Sequence, residues 1–156
     1  TKAIVVFLKT AGYAADDYRL RDGSGLTRYN LLNPRQLNAV MRYAYLNPLG
    51  TTLSPAEAFK QKKNIFIESL PVAGTGDATP EAKANGGTLR NRLKDTGLDV
   101  RAKTGSMTGI SSLSGFVTAK SGRVLTFTLM MDNYPSVLSE LNRWQDELVQ
   151  AIAAKY

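Results

Sequence analysis

Histidine and cysteine are both absent from the 156 residues of this chain. Without histidine there is no Ser-His-Asp or Cys-His machinery. Without cysteine there is no thiol nucleophile and no disulfide, and most zinc sites are excluded. Any hydrolytic proton transfer therefore falls to lysine. The lack of cysteine leaves the compartment open, because disulfide-free proteins are at home in cytosol and periplasm alike. A long apolar run is missing too: the longest, Ala3 to Leu8, falls far short of the ~20 residues a membrane span needs. There is no internal repeat or low-complexity tract. The chain opens at Thr1 without Met, a basic n-region or a cleavage site, which reads as a processed product or a piece of a longer protein.

What is present describes one folded domain. The hydrophobic content of 43% supports a packed core, and the length suits one such core, not two. The formal charge of +7 favours anionic partners: nucleic acid, a membrane surface, an acidic cell-wall polymer or a carboxylate substrate. The basic residues cluster only at 60–63 and 89–94. No helix carries a continuous basic stripe with interleaved aromatics, which argues against nucleic acid.

Residues 1–10 form an apolar segment closed by Gly12, readable as a helix, with the β-branched Ile4, Val5 and Val6 keeping strand open. Residues 18–21 alternate as a short strand before the turn at 22–25. Asn33-Pro34 is an N-cap followed by proline, and Leu37, Val40, Met41 and Ala44 give helical spacing to Asn47-Pro48. Ser54-Pro-Ala-Glu57 is a capping box that opens a second helix running toward Leu70. Residues 72–87 read as a long surface loop and 89–94 as a short helix. Strands are expected at 100–104, 112–118 and 123–131, with a hairpin at 120–123. Val137, Leu141, Trp144, Leu148 and Ile152 mark the apolar face of a long C-terminal helix. Helices, then an antiparallel meander, then a packing helix make the class α+β, an antiparallel sheet packed with helices.

The chemistry concentrates at Val100-Arg-Ala-Lys-Thr-Gly-Ser-Met-Thr-Gly109, read as a short strand running into a polar, glycine-marked turn. The ammonium of Lys103, the hydroxyl of Thr104 and the bare backbone of Gly105 suit a strand against which a carboxylate-bearing ligand lies at backbone distance. Taken alone, Lys103 is equally readable as a solvent-facing strand residue. Asp22-Gly-Ser-Gly-Leu-Thr-Arg-Tyr-Asn30 pairs glycines with polar side chains and, taken alone, is a structural turn. Arg90 and Arg92 either hold carboxylates or lace two elements together, lacing being the simpler role.

In order, Asp22-Gly-Ser-Gly-Leu26 with Arg28 and Asn30, Leu70-Pro-x-Ala-Gly74, Gly87-Thr-Leu-x-x-Arg92, and Arg101-Ala-Lys-Thr-Gly-Ser106 through Ser114-Gly-Phe116 run nearly the whole chain. As a set they resemble the low-molecular-mass class C penicillin-binding proteins, the serine D-alanyl-D-alanine carboxypeptidases and endopeptidases of peptidoglycan. The resemblance implies a partial penicillin-binding, β-lactamase-like transpeptidase fold and a Ser-Lys acyl-transfer site. It implies that Lys103 supplies positive charge and assists proton transfer, that Thr104 and Ser106 hold the substrate carboxylate along the Gly105 backbone, and that the Ser106 N–H serves the oxyanion hole. Met107, Ser24, Leu26 and Arg28 match positions that line a pocket for the substrate side chain. Peptidoglycan stem peptides and β-lactams are the implied ligands, the periplasm or cell envelope the implied location, and no cofactor or metal is implied.

Two motifs of such an enzyme are missing. No lysine here has a serine three positions before it, and no asparagine has one two positions before it. Tyr45-Leu-Asn47 imitates a Tyr-x-Asn variant but falls at a helix end, on the wrong side of Asp22. Asp77 to Asn85 reads as an insertion into the family's tighter turn. The expectation is that residues 1–156 are the C-terminal part of the catalytic domain, inactive alone, with the nucleophile on a missing N-terminal half as partner. The alternative is a non-catalytic module that binds peptidoglycan or another anion.

Overall fold

The computed structural model describes residues 2–13, 18–135 and 137–156, so Thr1, the first residue of the apolar N-terminal segment, lies outside them. That segment is a helix, α1 (Lys2–Thr10), which settles the open choice. The capping signals place α2 (Pro34–Leu46) and α3 (Pro55–Lys60), each with a complete capping box and proline at the start. The helix expected to run on toward Leu70 breaks instead. Lys62 takes φ 55°, Lys63 N–H closes onto Ala58 O at 2.8 Å, and a new helix, α4 (Ile65–Glu68), starts after Asn64. Asn64 is buried, donating to Ala44 O at 2.8 Å and accepting from Phe66 N–H at 3.2 Å. One side chain thus ties α2 to α4 and caps the latter.

The stretch expected to be loop contains α5 (Pro80–Gly86), capped by Thr79. Its Thr-Pro-Glu opening is the same signature that marks α2 and α3. The helix expected at 89–94 is absent: 87–89 is a single 3-10 turn, and Leu93 and Asp95 take φ 54° and 61°, which no right-handed helix accommodates. The expected strand at 18–21 is reduced to one bridge, Arg19 with Leu31. No further strand lies beside it to extend the ladder among the described residues.

The sheet has order β1-β2-β3, all antiparallel: β1 (Val100–Met107), β2 (Ile110–Thr118) and β3 (Val124–Asp132). β1 is longer than expected, because Met107 pairs with Ile110 across a two-residue Thr108-Gly109 turn. The Lys-Thr-Gly run therefore lies inside the ladder, not in the turn. Side-chain alternation sends Val100, Ala102, Leu113, Val117 and Phe127 to one face, under Val149 and Ala153 of α6 (Leu138–Lys155). The other face carries Phe116 against Met41 and Ile67, from α2 and α4. Three layers result, helix, sheet and helices, an α+β architecture as expected.

The buried face of α6 is not the most apolar one. Leu141, Gln145, Val149 and Ala153 are buried, while Trp144 and Leu148 remain about 40% exposed (39% and 44%). Gln145 earns its burial through satisfied partners: its amide donates to Ser111 Oγ at 3.0 Å and its carbonyl accepts from Arg92 at 3.1 Å. Arg92 also bonds Asn142 O at 3.0 Å and forms an ion pair with Asp146 at 2.7 Å. It laces the 87–93 segment to α6.

Gly115 sits opposite Ala102 where β1 and β2 pair, and has no room for a side chain. A Cβ there would stand 2.6 Å from Ala102 Cα and would also overlap Arg101 O. Gly115→Ala should destabilise the protein by about 2–3 kcal/mol or more, since both colliding groups are backbone. A urea midpoint matching wild type would show that the strands can part at no cost.

Candidate functional site

The outer edge of β1 is divided into two unlike halves. Ala73 N–H donates to Val100 O at 2.9 Å and Ala102 N–H to Pro71 O at 3.0 Å, covering the first half. These two bonds also show which backbone groups point outward: those of Val100 and Ala102 and, by the strand's period of two, those of Thr104 and Ser106. No backbone partner meets Thr104 or Ser106 on that edge among the described residues. A polar, unpaired stretch of edge is therefore presented at the Lys-Thr-Gly run.

Side chains flank that edge from both faces. Lys103, exposed, shares its face with Arg101 and Gly105, and its Nζ donates to the outward carbonyl of Thr104 at 2.6 Å. Thr104 and Ser106 lie on the opposite face. The Thr104 hydroxyl is 2.8 Å from that of Thr88. Ser106 is exposed and Met107 half-buried. A Cβ on Gly105 would stand 2.5 Å from Ser112 Oγ, so the lack of a side chain keeps this face low beside the lysine. An ammonium stands on one side and two hydroxyls on the other, around outward N–H groups, a set of donors of the kind carboxylates accept from.

The 22–30 loop holds its own shape. The Asn30 side chain accepts from Arg21 N–H at 2.7 Å and donates to Asp22 O at 3.0 Å. The Ser24 hydroxyl donates to Asp22 at 2.8 Å and accepts from Leu26 N–H at 3.1 Å. Arg28 alone of the loop's candidates is joined to the strand: its Nη2 donates at 2.6 Å to the carbonyl of Thr108, in the β1–β2 turn. The Leu26 side chain is 75% exposed, and no hydrogen bond joins it or Ser24 to β1 among the described residues.

Thr88 is the residue that the motif reading quoted without a role. Its position follows from α5 and the 3-10 turn, which bring residue 88 beside β1 after a long detour in sequence. The segment Asp77 to Asn85, read as an insertion, supplies α5 and a latch. Asp77 accepts from Asn91 at 3.0 Å and pairs with Arg90 at 2.6 Å. The Asn91 amide above all holds the Asp77 carboxyl below the usual carboxylate range; burial opposes it, and the Arg90 guanidinium and the Lys83 ammonium add smaller lowering effects.

A three-layer α+β fold with a Lys-Thr-Gly edge strand is the hallmark set on which comparison with known proteins bears. The sequence profile of the D-Ala-D-Ala carboxypeptidase 3 (S13) family matches residues 1–155. Carboxypeptidase DacB of Mycolicibacterium smegmatis is 34% identical over 137 residues, covering 84% of this chain and 25% of its own length. D-alanyl-D-alanine carboxypeptidase DacB of Haemophilus influenzae is 30% identical over 150 residues, covering 96% of this chain and 27% of its own. The crystal structure of penicillin binding protein 4 (dacB) from Haemophilus influenzae, complexed with a β-lactam, superposes with a TM-score of 0.66 at 26% identity, over 98% of this chain and 32% of that one.

These define a low-molecular-mass penicillin-binding protein fold. The chain belongs to the D-Ala-D-Ala carboxypeptidase 3 (S13) family, and it spans about a quarter of the length of the curated relatives it matches.

The Asp77 latch sets a pH expectation. Its folded-state pKa is lowered, so its contribution is present above the unfolded carboxylate's value, about 3.9, and is lost as pH falls through the lower folded value. Urea midpoints of wild type and Asp77→Asn should converge as the medium is acidified below about pH 4. A gap that persists unchanged at pH 2 would mean the carboxylate charge has no part in the latch.

Proposed function

We propose that this chain is the substrate-binding part of a serine D-Ala-D-Ala carboxypeptidase. The observation that carries this reading is the free half-edge of β1, where Thr104 and Ser106 turn their backbone groups outward beside Lys103. A peptide ending in a carboxylate adds to such an edge by main-chain hydrogen bonds. Thr104 and Ser106 hold its carboxylate by charge-assisted bonds, and the Lys103 ammonium neutralises it and assists proton transfer. The Ser106 N–H, directed away from β2, donates to the oxyanion formed at the scissile carbonyl. The peptide then runs toward Met107, where Arg28, Ser24 and Leu26 supply the walls for its side chain. Lys103 moves off the Thr104 carbonyl when substrate takes that position.

The nucleophile is carried elsewhere. Ser-x-x-Lys and Ser-x-Asn are absent from the sequence, and the chain covers only about a quarter of the length of the relatives matched. Residues 1–156 are accordingly the C-terminal part of the catalytic domain, and the Ser-x-x-Lys portion is their partner. Peptidoglycan as substrate places the protein in the periplasm or envelope. The same missing motifs favour, as a second reading, a non-catalytic module that grips the stem peptide on the β1 edge.

Intact-mass spectrometry after incubation with a penicillin tests the proposal. An acyl adduct should form on the full-length polypeptide bearing Ser-x-x-Lys, should be lost on Lys103→Ala with folding intact, and should not form on this chain. An adduct here refutes the placement of the nucleophile, and a full-length protein without any adduct favours the binding module.

Thr88 is open to a kinetic test. Either hydroxyl can donate in this pair; in the arrangement proposed for the bound state Thr88 donates to Thr104 and leaves the Thr104 O–H free to donate to the carboxylate. Thr88→Val should raise KM for a D-Ala-D-Ala peptide about five- to tenfold, the worth of one hydrogen bond, with kcat little changed. Thr88→Ser should restore it; equal KM values for all three proteins would leave Thr88 with no role in binding.

A further inference from the structure

An arginine side chain donates hydrogen bonds and accepts none, and this fixes the direction of a buried polar chain that runs from α6 to the sheet. Arg92 donates to the Asp146 carboxylate at 2.7 Å, to Asn142 O at 3.0 Å and to the Gln145 carbonyl oxygen at 3.1 Å. With its oxygen taken in this way, the Gln145 side chain turns its nitrogen toward β2. That nitrogen donates to Ser111 Oγ at 3.0 Å and meets the weakly accepting sulfur of Met131 at 4.0 Å. Gln145 and Ser111 are 0% and 1% exposed, so neither can exchange these partners for water.

Ser111 therefore accepts, and its own O–H proton has no acceptor among the described residues. The register shows where that proton can go. Ser111 stands directly opposite Ser106 in the β1–β2 ladder. Because the backbone groups of Ser106 point away from β2, this is a non-hydrogen-bonded pair, the kind whose facing side chains approach most closely, with Cβ atoms about 4.5–5.5 Å apart. Both side chains lie on the α6 face, which Ser111 shares with Leu113 and Ser106 with Ala102 by the strand's period of two. A Ser106 rotamer turned toward Ser111 brings the two oxygens to hydrogen-bond distance. Ser106 is exposed, so the buried chain reaches the surface here.

We propose that Gln145 is a positioning residue for the carboxylate site, which through Ser111 fixes the Ser106 hydroxyl as a donor toward the ligand. This rests on the function proposed above, in which Ser106 holds the substrate carboxylate. Arg92 donates to Gln145, Gln145 to Ser111, Ser111 to Ser106, and Ser106 to the carboxylate. A carboxylate only accepts, so a Ser106 hydroxyl turned the other way would meet it lone pair to lone pair. Successive bonds of one sense also polarise one another, which strengthens the last of them. No proton is transferred, and the relay sets orientation alone.

Gln145→Glu keeps the shape of the side chain and reverses the relay. The introduced carboxylate accepts from Arg92 and from the Ser111 O–H, which leaves the Ser111 oxygen to accept from Ser106. Ser106 then faces the ligand with lone pairs, which repel a carboxylate and suit the N–H groups of a carboxamide. The test uses the full-length protein containing this sequence, with a stem peptide ending in D-Ala-D-Ala and the same peptide ending in a carboxamide, each measured as a competitor of penicillin acylation. Gln145→Glu should raise the ratio of the inhibition constant of the carboxylate peptide to that of the carboxamide about tenfold or more. Ser111→Ala, which interrupts the relay with a smaller change, should raise that ratio about threefold, and the double variant should match Ser111→Ala. A purely structural role weakens both peptides alike and leaves the ratio at its wild-type value. That result in Gln145→Glu or in Ser111→Ala, or effects that add in the double variant, overturns the inference. Should Gln145→Glu lose its thermal unfolding transition, Ser111→Ala decides alone by the same ratio. In each of those cases a wild type that is acylated by penicillin and releases D-alanine keeps the proposed function standing. A wild type that does neither overturns that function and this inference with it.

Discussion

Two backbone hydrogen bonds, from Ala73 to Val100 and from Ala102 to Pro71, govern the rest of this structure. They occupy one half of an edge that would otherwise be open from end to end, and they stop where the Lys-Thr-Gly run begins. The segment that makes them, residues 71–73, is itself anchored: Val72 N–H reaches Asn85 O at 2.9 Å and Gly74 N–H reaches Leu89 O at 3.1 Å. Gly86 lets these pieces meet, since a Cβ there would stand 2.5 Å from Arg90 Cβ and 3.2 Å from Val72 O, and would overlap the Thr75 hydroxyl. Helix α5, the pinned 71–74 segment and β1 therefore behave as one unit, and the free half-edge inherits its position from all three. An edge strand is ordinarily a hazard because its unpaired groups recruit other chains. Here covering one half and flanking the other with charge and hydroxyls confines that reactivity to a short polar stretch.

The opposite edge differs in kind. By the same alternation, β3 turns the backbone groups of Thr126, Thr128 and Met130 outward, with no partner among the described residues. Beside it, on the side of α6 away from Asp146 and Arg92, Trp144 and Leu148 remain exposed. One edge is short and polar, the other long and bordered by apolar side chains. That asymmetry accords with a chain spanning about a quarter of its relatives' length.

Much of the fold was legible because its signals are short-range. Caps at Asn33 and Ser54, proline after each, and alternation along the last two strands depend on neighbours three or four residues away. The same rule applied at Thr79 would have found α5, which the Gly- and Ala-rich composition around it obscured. Leu89 to Lys94 has helical spacing but not helical dihedrals, because Leu93 turns left-handed to send the chain on into β1. In α6, hydropathy pointed to Trp144 and Leu148, whereas the sheet selected Gln145, Val149 and Ala153. Close approach to a sheet rewards small or fully hydrogen-bonded side chains over large ones, and Gln145 finds its partners on β2 and on the Arg92 segment.

The sequence by itself determined the family, the helices that begin with caps, the strand that bears Lys103, Thr104 and Gly105, and the absence of the Ser-x-x-Lys and Ser-x-Asn motifs. Those are properties of residue order, and order needs no folding to be read. Only the tertiary structure decided which half of β1 stays open, that Thr88 meets Thr104, that Arg28 reaches the turn at Thr108, and that Glu68 pairs with Arg101 at the wall of a cavity. Each of these joins residues distant in the chain. Their meeting depends on where strands pair and helices pack, an outcome of the whole core that no local pattern encodes.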